Sequence, residues 1–114
     1  MRDREILRAP DSPATLEARA RLTRSTGPDV HAGERETSLI MRWMPQTLPP
    51  DIDRSTLPAV PESLRQFVEA EKTGRWRELS PLGHIGDPAV ATVENGDLYL
   101  LEAADMPRAI AAAL

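Results

Sequence analysis

A small, mainly helical unit is what the sequence predicts, on three observations. Two segments join a helix start to helix-forming composition: Ser12-Pro13 followed by "ATLEARARLTRS", and "PESLRQFVEAEKTGRW". A third, "ERETSLIMRWM", sets a dense apolar block in helix-forming sequence. Eleven prolines among 114 residues separate these segments by extended connections.

Taken in order, the first ten residues read as a mobile end. Ser12 is placed as an N-cap with Pro13 at the first helical position, where a missing N–H costs nothing. The helix should reach about Ser25, with Glu17 and Arg21 one turn apart. Its apolar face is weak, because Leu16, Ala18, Ala20 and Leu22 hardly form a stripe. In the second helix Leu39, Ile40, Met41, Trp43 and Met44 predict burial on more than one face. Five prolines from Pro45 to Pro61 leave room only for an extended connector. Pro61 and Glu62 then open an amphipathic helix with Leu64, Phe67 and Val68 at helical spacing, and Gly74 stops it. For Pro88 to Leu101 two readings stand. Asp87-Pro88 predicts a helix from about Pro88, while Asn95-Gly96 between "VATV" and "LYLL" signals a hairpin. "MPRAIAAAL" reads as a short helix after Pro107.

Core material is thin, with only two Trp, one Tyr and one Phe. A net charge of -4, from 18 acidic and 14 basic side chains, offers no field that would recruit a nucleic acid. Without cysteine there is neither a disulfide framework nor a thiolate zinc site. No run of about 18 apolar residues occurs, so no membrane span is predicted and a cytoplasmic protein is the default expectation.

The chemistry-bearing stretch is "PDVHAGERETSL". Gly33 lets the backbone turn into a helix whose first turn carries Glu34 and Glu36, where the helix dipole favours negative charge by about 0.3–1 kcal/mol. That alone makes an ordinary helix start. His31 in the preceding loop can also point into a cleft while the first turn holds Glu36, which together supply a proton shuttle and a positioned acid or ligand. One histidine and two glutamates fall short of the four ligands of a closed metal site. His84 reads as a surface or loop histidine, and Asp87 as a helix cap.

"DVHAGERETSLIM", Asp29 to Met41, resembles the D-x-H-A-G-x-x-E-T-S motif of the creatininase family of amidohydrolases. "GHIGDPAVATVENG", Gly83 to Gly96, resembles that family's G-x-x-G-D-P-x-x-A-T-x-x-x-G segment. The two stand in the family's order and at a fitting separation, and the resemblance runs from Asp29 to Ala104. Its nearest branch is the one that includes the mycofactocin-system peptidase. Residues 1-28 stand apart as a non-matching segment with the marginal helix, and residues 29-114 make a partial creatininase-like domain.

The resemblance implies an α/β fold, the C-terminal part of a three-layer α/β/α domain that is mainly helical in this fragment. It further implies a divalent metal, zinc or manganese, in a paired site, and hydrolysis of a cyclic or linear amide. His31 matches the family's active-site histidine, and Glu36 the motif glutamate beside it, with a supporting or metal-proximal role. Glu34 falls at a variable position and drops in rank. The family pattern also favours the helix from Pro88 over the hairpin. The family's metal-ligand motifs, E-x-H and G-H-x-x-N, do not occur here. The expectation is therefore a truncated amidohydrolase, inactive alone and not binding the metal alone. It would be completed by a complementing chain or within a homo-oligomer, hexameric in the family, acting on a small amide substrate. The alternative is a non-catalytic remnant or interaction subunit that docks through its apolar helix, Ser38 to Met44.

Overall fold

In the computed structural model residues 11–114 are described, apart from the side chains of Ala109 and Ala113. The mobile end expected over the first ten residues lies outside the described residues. Helix α1, Pro13–Leu22, starts as its sequence requires: Ser12 Oγ accepts the Thr15 N–H at 3.3 Å and Pro13 takes the first position. It stops short of Ser25 because the N–H groups of Arg24 and Ser25 are taken by the carboxylate of Glu34, at 2.7 and 2.9 Å.

Helix α2, Glu34–Trp43, follows Gly33, which offers no capping side chain. The free N–H of Arg35 is instead accepted by Asp29 Oδ2 at 3.0 Å, a cap delivered from six residues upstream. The expected burial of the apolar block on more than one face does not occur. Glu34 and Ser38 are the buried residues, while Trp43 and Met44 are 50% and 46% exposed. The reason is a close approach: a Cβ on Gly96 would lie 2.5 Å from Ser38 O and 2.3 Å from Arg42 Cβ. Only a small inner side fits there, so the large apolar residues fall to the flanks.

The proline-rich connector holds two single 3-10 turns, Pro45–Thr47 and Arg54–Thr56. Helix α3, Leu64–Thr73, begins two residues later than Pro61-Glu62 suggest, because Ser63 and Gln66 form a reciprocal capping box. It ends at Gly74 with φ 69°, as expected, and the one-turn helix α4, Trp76–Leu79, follows.

Pro88 starts no helix beyond the 3-10 turn Pro88–Val90, and Asp87 makes no side-chain cap bond. Ala91 is extended and the N–H of Thr92 is claimed by Ser38 Oγ at 3.1 Å, which prevents propagation. The hairpin alternative does not form either. Asn95 and Gly96 lie in a second 3-10 turn, Glu94–Asp97, closed by Thr92 Oγ1 accepting the Asn95 N–H at 3.1 Å. That turn feeds helix α5, Leu98–Ala113, which absorbs the short helix expected after Pro107. Pro107 frees the carbonyl of Ala103, an exposed residue, so water can satisfy it.

Among the described residues there is no β-strand. The expected α/β arrangement therefore shows no sheet here, and β-type pairing amounts to two isolated antiparallel bridges, His31 with Ile85 and Val60 with Gly86. No helix among them is long and apolar enough to cross a membrane. Among the described residues the buried apolar side chains are Ala18, Ala70, Ile85, Pro88 and Leu98, against a longer polar set: Thr15, Glu34, Ser38, Ser80, His84, Asn95 and Asp105. A radius of gyration of 15.8 Å exceeds the roughly 13 Å of a well-packed chain of this length. The chain wraps around polar joints more than it packs on a core. Glu102 makes one such joint, accepting from Arg19 at 2.7 Å and pairing with Arg35, so that α1, α2 and α5 meet on one carboxylate.

Replacing Glu34 by Ala would leave the two backbone N–H groups of Arg24 and Ser25 without an acceptor and the Asn95 amide with Leu22 O alone. A loss of about 3–5 kcal/mol is expected from urea unfolding. Asp105 accepts the Ser12 N–H at 2.9 Å, and this bond, with help from the Thr15 hydroxyl, holds its carboxyl below the ordinary value. A depressed carboxylate stabilises the fold above its unfolded value and ceases to do so as pH falls through the folded one. The stability gap between the native chain and Asp105→Asn should therefore close as pH drops below about 4, which urea midpoints across acid pH would record.

Candidate functional site

The two motif segments form one joint. A Cβ on Gly33 would come 2.1 Å from Asp29 Oδ1 and 3.1 Å from Gly86 Cα. One on Gly86, at φ 144°, would meet Gly33 Cα and Asp29 Oδ1 at 2.9 Å. Glycine thus packs on glycine with the Asp29 carboxylate wedged beside them. Burial pushes the Asp29 carboxyl above its ordinary value; the N–H and guanidinium of Arg35 oppose that rise, and Glu34 and Glu36 add to it.

The joint sets the backbone of His31. Its N–H donates to Ile85 O at 2.9 Å and its carbonyl accepts the Ile85 N–H at 2.7 Å, while Ala32 behind it sits at φ 49°, unusual for a residue with a Cβ. The imidazole lies against an aromatic wall. Its centroid is 6.3 Å from Phe67, near parallel, and 5.7 Å from Trp76, edge-on, and those two rings meet at 4.7 Å. Phe67 appears in the sequence only as one residue of an apolar face, and Trp76 carries no signal of its own. The available clue is scarcity, since two of the four Phe, Tyr and Trp residues surround this histidine.

Glu36 is also exposed but faces elsewhere, lining a cleft of about 160 Å³ with Asp29, Val30, Arg35 and Tyr99. Among the described residues no hydrogen bond or ion pair joins it to His31. Glu34, ranked low on sequence, proves to be the interior carboxylate of the joint, with Asn95 Nδ2 donating to it at 3.4 Å. His84 is not a surface histidine: it is 5% exposed, and its Nε2 donates to Pro58 O at 2.7 Å, which assigns the proton to that nitrogen. Asp87, without a cap bond, is half-buried beside Gly86.

These positions do not fit a metal centre. Among the described residues no three His, Asp or Glu side chains converge as ligands. Glu34 spends its oxygens on backbone donors and His84 its Nε2 on Pro58. What remains to react is the exposed His31 imidazole, its backbone paired with Ile85 and an apolar wall behind it, and apart from it the exposed Glu36 carboxylate.

A family model named Creatininase, described as creatinine amidohydrolase, matches residues 3–110. The matched span takes in most of residues 1–28 along with the motif-bearing stretch. The mycofactocin precursor peptide peptidase of Mycobacterium ulcerans (strain Agy99) is 33% identical over 81 residues, covering 71% of this chain and 31% of that protein. The match thus spans under a third of the length of that curated relative. No solved structure matches.

The glycine joint can be tested against a glycine in open space. Gly86→Ala should cost about 2–4 kcal/mol, from clash together with backbone strain. Gly74→Ala, at φ 69° with nothing within 4 Å, should cost about 1–2 kcal/mol, the strain of a left-handed residue alone. Urea midpoints of the two variants give the order.

Proposed function

The chain belongs to the creatininase family, and from that premise we propose that it forms one wall of an amide-hydrolysing site, with His31 as the proton-handling group. The observation that carries this reading is the placement of His31, exposed, fixed at its backbone by Ile85 and backed by Phe67 and Trp76. An imidazole can take a proton from an attacking water and return it to the departing amine near neutral pH. The aromatic wall restricts its ring and keeps water from that side. The name of the curated relative speaks of a precursor peptide, which favours a linear amide as substrate over a cyclic one.

In a whole enzyme of this kind the helices would flank a three-layer α/β/α arrangement. The bridges at His31 and Val60 are where further strands could continue the pairing. A divalent metal, zinc or manganese in this reading, would supply Lewis-acid chemistry and would take its ligands from residues other than those described. Glu36, exposed on the first turn of α2, would support a group contributed from outside these 114 residues. Among the described residues no hydrogen bond or ion pair joins a second acid or base to the His31 side chain. Hydrolysis then needs groups from further sequence of the same polypeptide or from another chain, so these residues alone should be inactive. The half-exposed Trp43 and Met44 favour a second reading, a non-catalytic subunit that docks through α2.

Both readings meet in one experiment. The purified chain is assayed with zinc and with manganese on creatinine and on a peptide panel, alone and with a chain carrying the E-x-H and G-H-x-x-N motifs. Turnover is expected only in the mixture, with at least about a hundredfold loss in His31→Ala at an unchanged melting temperature. Turnover or tight binding of two ions by the chain alone would remove the need for outside groups. Complex formation without turnover would favour the docking subunit.

A further inference from the structure

Beyond the hydrolytic reading stands a half-open apolar cavity, lined in part by His84 and by Ala32, the residue after His31. It measures about 190 Å³ and is walled mainly by Leu48, Ile52, Leu57 and Pro88. A dry apolar cavity of about 150 Å³ is known to hold a benzene ring, so this one has room for a single ring or a short branched chain. The polar groups on its wall are largely committed: His84 Nε2 to Pro58 O, and the Thr37 hydroxyl to Ala32 O.

Arg54 is different. It is the charged residue lining the cavity, it is half-buried, and among the described residues it makes no ion pair. The neighbouring Asp53 feels its charge at a distance but makes no ion pair with it, its oxygen Oδ1 accepting from Ser55 N and Ser55 Oγ at 3.0 and 2.6 Å. A guanidinium beside an apolar hollow, without an ion-pair partner among the described residues, selects a ligand with one carboxylate and one small apolar body. The Arg54–Thr56 turn and the proline-rich connector around it place Arg54 in the lining of the cavity.

We propose that this cavity binds a small carboxylic acid bearing a single ring or a short branched chain, with the apolar body between Leu48, Ile52, Leu57 and Pro88 and the carboxylate on Arg54.

Benzoate, with neutral benzamide as its isostere, tests this on the full chain by amide-resonance titration. Benzoate should bind with a Kd of about a millimolar, shifting resonances around residues 48–57 and 84–88, and benzamide about tenfold more weakly. Arg54→Gln should reduce benzoate to the benzamide level, Arg54→Lys should keep part of the gain, and Ile52→Trp should close the cavity to both. Equal affinity for the two probes, shifts that map elsewhere, or an unchanged benzoate Kd in folded Arg54→Gln would overturn the assignment. Should Arg54→Gln not fold, the two probes on the unaltered chain decide, with benzoate affinity expected to fall as salt is added.

Discussion

One buried carboxylate holds the described structure in register. Glu34 is fully buried, and its two oxygens meet the backbone N–H groups of Arg24 and Ser25 while Asn95 donates from a third direction. Taking a carboxylate out of water costs several kcal/mol, and such a group persists only where directed donors replace its hydration. Here the donors come from three pieces of chain: the exit of α1, the start of α2 and the turn before α5. Moving any one of them leaves a charge unanswered. That makes the arrangement specific even where apolar burial is scant.

The residues that make the two motifs recognisable divide sharply by role. Gly33 and Gly86 allow backbone to meet backbone, Gly96 lets its turn press on α2, and Ser38 holds the N–H of Thr92. Asp29 caps α2. These are joinery, and their conspicuous chemistry is spent inside the protein. His31 and Glu36 are the motif side chains with reactive groups left facing outward, His31 against aromatic rings and Glu36 into a separate cleft. A motif of this kind reports a way of folding two segments together at least as much as it reports a reaction.

What could be read from sequence follows the range over which each feature is determined. The starts of α1 and α3 and the stop at Gly74 depend on caps within a few residues, and they are legible as far as local chemistry reaches. The Pro88–Leu101 region was not, because its outcome turns on Ser38 and Leu22, 54 and 73 residues away from their partners Thr92 and Asn95. No propensity at Asp87-Pro88 or Asn95-Gly96 contains that information. The same holds for His84, whose burial rests on a carbonyl 26 residues upstream, and for Glu34, whose partners come before it in the chain as well as after. His31 was visible as a candidate from its motif, whereas Phe67 and Trp76 became its neighbours only through the packing of α3 and α4.

An interior built from carboxylates, hydroxyls and amides also has a thermal signature. The heat capacity of unfolding rises with apolar surface exposed and falls with polar surface exposed. A chain that buries so few methyl groups sits at the low end of that balance. Its stability curve should then be flatter, and cooling should weaken it less than it would a protein held by aliphatic packing.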